Sequence, residues 1–357
     1  MSLKSRLIEQ ITLEGPIGVA DYMARCLLDP IDGYYIKHPA LGADGDFLTA
    51  PMVSQMFGEM IGVWVAQTWH ALGSPARFRL VEIGGGDGTL MSDILRVAKR
   101  VSGLSEATDV VMIEPSPVLR NLQSQKVDSA IFVPELDSLS DDLPLIVVAN
   151  EVLDCLPASQ FVRVGDGWHE RLIGLDAEGA LCFGLANAPS PFLENVNFAD
   201  GAILEYSAEQ LRFVRRLADK IKASTGVALL IDYGRARTEA GDTLQALYRH
   251  QKRDPLEAPG EHDLTVWADF PVVALAAHNA GLAVSQITPQ GAFLRRMGID
   301  ARLKALSAGH PDQAGKLRRQ YDRLVAPDQM GALFKVLALA WPKTIAMAGL
   351  EADAPAP

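Results

Sequence analysis

From residue 77 onward, short apolar runs alternate with longer segments of helical pattern, and this alternation restricts the fold more than any other feature. The runs are Arg79–Ile83, Asp109–Ile113, Ala130–Val133, Leu145–Ala149 and Val227–Ile231. Runs this short and this rich in Val and Ile are typical of strands that are buried on both faces. Parallel neighbours need long crossovers, which the helical segments can supply. The pattern predicts an α/β fold with a mostly parallel, doubly wound sheet that binds ligands at the carboxyl ends of its strands.

The rest of the chain adds segments to this sheet. We predict an N-terminal helical extension with a cofactor-covering loop over residues 1–75, and a flexible tail over 351–357. The sheet domain is predicted over 76–350. It carries a β-hairpin or short meander inserted at 161–200 and a polar, lid-like insertion at 238–265.

Several further segments have a clear periodicity. Helices are predicted at Val53–Leu72, Thr89–Arg100, Leu204–Ala223 and Ile299–Val325, where apolar residues recur at helical spacing. The apolar stretch Gly331–Trp341 is predicted to supply the last strand or strand pair.

Composition and charge exclude several functional classes. Hydrophobic residues make up 48% of the chain and charged residues 22%, as in ordinary globular proteins, and the net charge of −11 argues against nucleic acid as a partner. The apolar runs are far shorter than the ~20 residues that span a bilayer, so no membrane insertion is expected. The three cysteines are scattered and the N-terminus has no apolar signal core, which predicts a cytoplasmic protein. The seven histidines lack metal-ligand spacing, so no metal site is expected.

The most specific motif is the glycine-rich loop within Val81–Leu90 (VEIGGGDGTL), which follows a predicted strand and opens a predicted helix. Glycines let the backbone approach a ligand closely, and the helix offers free amides. The dinucleotide spacing of Gly at i, i+2 and i+5 is not met, because Thr89 or Met91 occupies the third position. No Lys follows as in a P-loop. The pattern is acid-x-Gly-x-Gly-x-Gly, formed by Glu82, Gly84, Gly86 and Gly88.

This pattern resembles the first motif of class I S-adenosylmethionine (SAM)-dependent methyltransferases, in which the loop meets the amino-acid end of the cofactor. Those enzymes usually carry an acid after the second strand that binds both ribose hydroxyls, and Glu114 stands there. Hydrogen bonds to a charged acceptor contribute about 1.5–3 kcal/mol each. Leu136, after the third strand, is expected to flank adenine. The predicted cofactor-binding residues are Glu82, Gly84, Gly85, Gly86, Gly88, Glu114 and Leu136. The alternative is a structural Gly-rich turn followed by an unrelated acid.

Beyond this loop, the chain resembles the MidA-like family over nearly its whole length. The blocks that carry the resemblance are Gly33-Tyr34-Tyr35, Gly45-Asp46-Phe47 with Thr49-Ala50-Pro51, Phe57-Gly58-Glu59, the glycine loop, Ile113-Glu114-Pro115-Ser116, Asn150-Glu151 with Asp154 and Pro157, Asp232-Tyr233-Gly234, Pro259-Gly260 with Asp263-Leu264-Thr265, and Gln290-Gly291-Ala292-Phe293. Mitochondrial members are assembly factors for respiratory complex I that symmetrically dimethylate an arginine on a complex I subunit.

The resemblance implies a Rossmann-like class I methyltransferase fold, SAM as the cofactor and a protein substrate with a target arginine, for which a complex I subunit is the candidate. It implies a cytoplasmic location, or the mitochondrial matrix if the source is eukaryotic, and leaves a homodimer open. Two alternatives remain: an assembly chaperone that binds SAM without turnover, and a small-molecule methyltransferase, which the size of the added segments disfavours.

The chain departs from the family pattern at several positions. Where the family usually has Pro and Arg in the glycine loop, this chain has Gly85 and Asp87; it has Met52 in place of Glu and Cys155 in place of Ala. The usual Ala-His-Val is Val266-Trp267-Ala268. The motif glycines are retained, so these departures bear on the substrate rather than on cofactor binding.

The segment after the fourth strand is the candidate catalytic site. A guanidinium is a poor nucleophile while its charge is delocalised, so an arginine site needs carboxylates that grip the fork and aim one nitrogen. Asn150, Glu151 and Asp154 are the predicted catalytic residues. The two acids, three positions apart, can face the same side of a turn or first helical turn and clamp the arginine. Alternatively, Asn150 caps a helix whose first turn the acids stabilise.

A second group of residues is predicted to bind the substrate. They are Asp46, Asp232, Tyr233, His262 and Asp263. Asp232 and Tyr233 end the fifth predicted strand, although an Asx turn with Gly234 in a left-handed conformation is an alternative. Asp46 and Thr49 either close over the cofactor or cap the helix that begins near Pro51.

Overall fold

The computed structural model describes residues 1–37, 49–193, 196–248 and 251–350. The α-helices in these ranges are α1 (Leu3–Glu14), α2 (Val19–Leu28), α3 (Tyr34–Lys37), α4 (Ala50–Val53), α5 (Gln55–Ala71), α6 (Thr89–Ala98), α7 (Leu104–Ala107), α8 (Pro117–Lys126), α9 (Ala208–Ser224), α10 (Phe270–Asn279), α11 (Gln290–Arg296), α12 (Ile299–Gly309), α13 (Ala314–Val325) and α14 (Met330–Leu333). Short 3₁₀ helices occur at Leu136–Ser138, Pro191–Leu193 and Pro311–Gln313.

The strands of the described residues follow the order of the chain. They are β1 (Ile17–Gly18), β2 (Phe78–Ile83), β3 (Thr108–Ile113), β4 (Ile131–Val133), β5 (Leu145–Asn150), β6 (Ser159–Val164), β7 (Gly167–Leu175), β8 (Leu181–Leu185), β9 (Ile203–Tyr206), β10 (Gly226–Arg235), β11 (Gln245–Tyr248), β12 (Gln251–Arg253), β13 (Asp263–Thr265), β14 (Ala268–Asp269), β15 (Ala283–Val284), β16 (Thr288–Pro289) and β17 (Phe334–Trp341).

The chain forms two compact units, each assembled from three separate segments. The first unit comprises Met1–Phe47, Leu153–Arg212 and Thr238–Trp267, and the second comprises Leu48–Val152, Phe213–Arg237 and Ala268–Pro357. These units differ from the domain boundaries that were predicted from the sequence. Residues 48–75 belong with the sheet domain, and the insertions belong with the N-terminal helices.

The second unit contains the predicted sheet. Its strands lie in the order β15-β17-β10-β5-β2-β3-β4. Strands β10, β5, β2, β3 and β4 pair in parallel, whereas β17 is antiparallel to both β10 and β15. The five central strands are those predicted from the apolar runs. The strand order reverses between β2 and β5, because β3 and β4 lie beyond β2 while β10 lies beyond β5. In open α/β sheets this reversal marks the ligand crevice.

Strand β10 is longer than the sequence predicted and continues past Ile231 to Arg235. Antiparallel β17 pairs with it as far as Tyr233, and β14 pairs in parallel with its last two residues. Pairing with β17 keeps Asp232 and Tyr233 in the strand, and pairing with β14 keeps Gly234 and Arg235 in it. Asp232 and Tyr233 therefore lie inside β10, so the predicted run Val227–Ile231 was too short and these two residues do not end the strand.

Helix α5 lies within the predicted Val53–Leu72 and packs on α6 at very short range. A Cβ on Gly58 would lie 2.5 Å from Asp93 Cβ, and one on Gly62 would lie 2.8 Å from Val97 Cβ. The helical pattern of Ile299–Val325 is divided into α12 and α13, because Pro311 removes a backbone donor between them. The predicted helix Leu204–Ala223 begins only at α9, since its first residues belong to β9.

The first unit packs helices against small antiparallel sheets. Strands β6, β7 and β8 form the predicted meander, which β1 and β9 extend to five strands, and β11 pairs with both β12 and β13. Buried side chains of α1 and α2, including Leu7 and Met23, share one hydrophobic core with Ile173 of β7 and Leu264 of β13. The core thus depends on residues from all three segments of the unit. No helix among the described residues has the length and apolarity needed to traverse a bilayer.

Candidate active site

The glycine loop joins β2 to α6 through three left-handed residues. Gly84, Gly86 and Gly88 have φ values of +66°, +55° and +82°, and Gly88 is the N-cap of α6. A Cβ on Gly84 would lie 3.1 Å from Val152 Cγ2. Such φ values suit glycine and strain any β-branched residue. The loop is therefore a backbone surface at the carboxyl end of β2, as close approach by a ligand requires.

Glu82, the acid of the motif, lies beneath this loop and is 2% exposed. A Cβ on Gly85 would lie 3.1 Å from Glu82 Oε2, and that oxygen has no hydrogen-bond partner in the described part of the chain. Burial, reinforced by the charges of Asp87 and Glu114, raises the pKa of Glu82 to about 8. A buried acceptor without a partner fits a cationic ligand group, because a nearby cation favours the ionised carboxylate. The residues present thus fit the ammonium end of SAM.

This pKa makes stability depend on pH. The pKa of Glu82 is raised from 4.5 to about 8 in the folded state, so its contribution to stability is fully present below pH 4.5 and is lost as pH rises from there through about 8. We expect the free energy of unfolding of the ligand-free protein to fall between pH 5 and 8.5, and Glu82→Gln to remove much of that fall. Urea unfolding at several pH values measures it. Glu106→Gln, at an exposed carboxylate, is the control; equal pH profiles for Glu82→Gln and wild type would contradict the assignment.

Glu114 follows β3 and lies beside the glycine loop. Its buried carboxylate accepts hydrogen bonds from the Ser116 N–H at 2.9 Å and from Gln123 Nε2 at 3.1 Å. Burial raises its pKa, although these two donors oppose the shift. Each carboxylate oxygen can accept more than one hydrogen bond. The position agrees with the predicted ribose contact, which stays a prediction.

Gln123 of α8 is a residue that the sequence interpretation missed. Its fully buried Nε2 donates both to Glu114 Oε2 and to the carbonyl oxygen of Gly86, at 2.9 Å. One amide therefore fixes the two predicted cofactor-binding elements relative to each other. The signal was available: Gln123 stands four residues after Leu119, so both lie on the buried face of α8.

Ion pairs also occur in the glycine loop and in the 3₁₀ helix that contains Leu136. Asp87, a departure from the family pattern, accepts from the Thr89 N–H and pairs with Lys126 Nζ at 2.5 Å. Leu136 is buried in a 3₁₀ helix, and Arg216 of α9 pairs with its neighbour Asp137 at 2.8 Å. The adenine contact of Leu136 stays a prediction.

Asn150 and Glu151 stand where β5 ends, beside the point at which the strand order reverses. Glu151 has a φ of +56°, a left-handed conformation that costs a residue with a side chain on the order of 1–3 kcal/mol. Its Oε1 accepts from Asn150 Nδ2 at 2.9 Å and from the Ala50 N–H at 3.4 Å. Asn150 is 8% exposed, and its Oδ1 has no hydrogen-bond partner among the residues described. This strand end thus presents a carboxylate and a buried amide oxygen.

In the described part of the chain, no helix follows directly on Asn150. The described residues 151–158 form bends and a turn, so the interpretation of Asn150 as a helix cap, with the acids favouring a helix dipole, is wrong. Asp154 belongs to the first unit, where its carbonyl oxygen accepts from the Val266 N–H at 2.9 Å and its charge acts on Tyr35. Its pairing with Glu151 stays a prediction.

Asp232 and Tyr233 are buried inside the sheet. Tyr233 packs edge-to-face on Phe334 of β17, with ring centroids 5.5 Å apart. Gly234 is not in a left-handed conformation; it is a strand residue whose Cβ would collide with the carbonyl oxygen of Ala268. The Asx-turn alternative is therefore wrong. The predicted role of Asp232 and Tyr233 in substrate binding is untested, and their burial favours a structural one.

The remaining predicted substrate residues belong to the first unit or lie outside the described residues. The Tyr35 hydroxyl donates to Asp263 Oδ1 at 3.1 Å. His262 is buried against Tyr248, and its Nδ1 has no hydrogen-bond partner in the described ranges. Asp46 lies outside the described residues. Thr49 is the N-cap residue of α4, and its side chain makes no capping hydrogen bond.

Comparisons with known proteins agree with the observed fold. The family described as S-adenosyl-L-methionine-dependent methyltransferase matches residues 60–288. The mitochondrial protein arginine methyltransferase NDUFAF7 of Danio rerio is 35% identical over 95% of this chain and 86% of its own. Its Drosophila melanogaster homolog is 35% identical over 95% and 84%. A Burkholderia thailandensis protein crystallised with S-adenosyl-homocysteine is 28% identical, with a TM-score of 0.84 over 96% of this chain and 92% of its own.

Proposed function

This chain belongs to the MidA-like family of SAM-dependent methyltransferases, and we propose that it methylates the guanidinium group of an arginine in a protein substrate. The family membership confirms the predicted Rossmann-like methyltransferase fold and SAM as the cofactor. The choice of arginine is the proposed part. It is supported by the curated relatives, whose names specify protein arginine methyltransferase, and by the acceptor groups at the end of β5.

The observation that carries the proposal is the pair formed by Asn150 and Glu151. A guanidinium has five N–H donors and no acceptor, so it needs oxygen atoms around it. Asn150 supplies a buried Oδ1 without a partner among the described residues, and Glu151 supplies a carboxylate held beside it at 2.9 Å. A carboxylate also localises the positive charge of the fork, which leaves another nitrogen richer in electrons. These are the groups that an arginine nucleophile requires.

The mechanism assigns positioning to the protein and the reactive methyl group to the cofactor. The sulfonium of SAM supplies an activated methyl carbon. The glycine loop, Glu82 and Glu114 would hold the cofactor at the end of β2, beside the end of the neighbouring strand β5, which Glu151 follows. Aligning a nucleophile with such a carbon can contribute about 7–11 kcal/mol. Glu151 and Asn150 would orient the guanidinium for the displacement.

The finer proposal concerns the partner and the place of action. We propose a complex I subunit as the target, because the family resemblance implies it; Asp263 and His262 would contact the protein substrate. The reaction would take place in the cytoplasm, or in the mitochondrial matrix if the source is eukaryotic, since the matching relatives are named as mitochondrial. A homodimer remains compatible with this proposal.

Labelling tests the proposal directly. Lysate incubated with tritiated SAM, with and without the purified protein, should show new label on one protein, and mass spectrometry should place the added methyl groups on an arginine. Binding of SAM without any labelled protein would support the chaperone alternative. Label in the small-molecule fraction would support the other alternative. Either result would overturn the proposed arginine activity.

A further inference from the structure

We propose that Asp232 is a positioning residue, which holds the left-handed turn of Glu151 and does not contact the target. This inference deepens the proposed function and rests on its assignment of Glu151 to methyl transfer. It replaces the expectation that Asp232 binds the substrate. The geometry that supports it lies entirely within the second unit.

The turn after β5 is held by β10 through two successive backbone amides. The Glu151 N–H donates to the carbonyl oxygen of Ile231 at 2.8 Å, which continues the parallel pairing one residue past the end of β5. The next N–H, that of Val152, donates to Asp232 Oδ2 at 3.1 Å. The side chain of Asp232 thus accepts the hydrogen bond of Val152, which lies beyond the last residue that pairs with the β10 backbone.

The other oxygen of Asp232 is also engaged. Oδ1 accepts from the N–H of Tyr233 at 2.8 Å, and the residue is fully buried. A carboxylate with no exposed surface and a backbone donor on each oxygen is placed to hold backbone rather than to meet an incoming side chain. A charged acceptor makes stronger hydrogen bonds than a neutral one, which suits a turn that must be held against backbone strain.

These hydrogen bonds are needed because Glu151 has a side chain and yet adopts a backbone conformation that favours glycine. At a φ of +56° the preferred response of such a residue is to relax towards ordinary backbone angles, which would swing its side chain away from Asn150. The turn also packs on the cofactor loop, since Val152 Cγ2 would lie 3.1 Å from a Cβ on Gly84. Fixing Val152 therefore fixes the direction of the Glu151 carboxylate, while the backbone of the glycine loop keeps its own left-handed conformation.

Two substitutions of Asp232 separate positioning from general stability. Asp232→Asn keeps the shape but leaves one N–H facing an amide donor, whereas Asp232→Ala removes both acceptors. Glu59→Gln is the matched control, because Glu59 is a buried carboxylate of the same unit that instead forms a bidentate pair with Arg302, at 2.7 Å for each bond. Thermal melting shows that each variant is folded.

For Asp232→Asn we expect S-adenosyl-homocysteine affinity and the KM for an arginine peptide to stay within about threefold, while kcat falls by at least about tenfold. Amide hydrogen exchange of peptides covering residues 148–153 should become faster. Combined with Glu151→Gln, the substitution should lower kcat no further, because residues acting through one group are not additive. Glu59→Gln should lower the melting temperature and leave kcat unchanged.

Three results would overturn the inference: unchanged exchange at residues 148–153, equal losses of kcat in Asp232→Asn and Glu59→Gln, or a raised KM with unchanged kcat, which would indicate contact with the target. If Asp232→Asn does not fold, exchange and kcat in Asp232→Ala decide the same question. Failure of the proposed function is distinguishable. In that case Glu151→Gln alone would turn over at the wild-type rate, while the exchange data still show whether Asp232 holds the turn.

Discussion

Replacing Glu151 by glutamine should leave the affinity for SAM unchanged within about twofold and reduce turnover by at least about 100-fold. Glutamine has the same shape and can still accept from Asn150 Nδ2, so the strand end should keep its structure. It cannot balance the charge of a guanidinium, and the loss of one partner of a buried charge pair costs about 2–5 kcal/mol. A 100-fold loss corresponds to about 2.7 kcal/mol of transition-state stabilisation. Calorimetry with S-adenosyl-homocysteine and single-turnover kinetics measure the two quantities.

The matched control for this experiment is Asp142→Asn. Asp142 is an exposed carboxylate shortly before β5, at the opposite end of the strand from Glu151. Its substitution should change neither cofactor affinity nor turnover. A Glu151→Gln enzyme that methylates at the wild-type rate would show that the carboxylate does not grip the target.

Replacing Gly86 by valine should abolish SAM binding, with a loss of affinity of at least about 100-fold, while the sheet stays folded. Gly86 has a φ of +55°, which a β-branched side chain does not tolerate without moving the backbone. Such a movement would also pull its carbonyl oxygen away from Gln123, which connects the loop to Glu114. Calorimetric titration with S-adenosyl-homocysteine measures the affinity, and circular dichroism measures the fold.

Gly103→Val is the control for backbone strain. Gly103 has a φ of +79° at the N-cap of α7, so its substitution imposes a similar conformational cost in the same unit without touching the glycine loop. It should lower the melting temperature and leave cofactor affinity intact. Comparable loss of affinity in both variants would mean that general destabilisation, and not the loop, accounts for the result.

The central sheet could be predicted from the sequence because most of its strands, such as β5 and β10, are buried on both faces. Such strands appear as apolar runs bounded by turn residues, and each of the five runs overlaps a strand of the structure. The glycine loop could be predicted equally well, because its left-handed backbone positions are occupied by glycine, which is visible in the sequence. Both signals are local, because each can be recognised within a short stretch of the sequence.

The other features depend on neighbours that are distant in the sequence. The length of β10 is set by β17, about 100 residues later, so nothing near Ile231 indicated that Asp232 would be enclosed in a sheet. The left-handed conformation of Glu151 has no sequence signature, because it is imposed by hydrogen bonds to β10. Helical periodicity places Gln123 on the buried face of α8, but it could not show that this face contacts the glycine loop.

The composition of the first unit was hidden for the same reason. Its helices and its sheets are separated by the strands of the other unit, so they read as an extension followed by two independent insertions. Only the shared core of Leu7, Met23, Ile173 and Leu264 identifies them as one structure. Long-range packing of this kind leaves no local pattern.

That interleaving has a consequence for biosynthesis. The apolar faces of α1 and α2 leave the ribosome before their partners on β11 and β13, which are encoded more than 200 codons later. At about 5–20 residues per second, the nascent chain must carry these faces without their final cover for roughly 10–40 s. Transiently exposed apolar surface is prone to aggregation, so the yield of soluble protein should depend on chaperones most strongly during this interval.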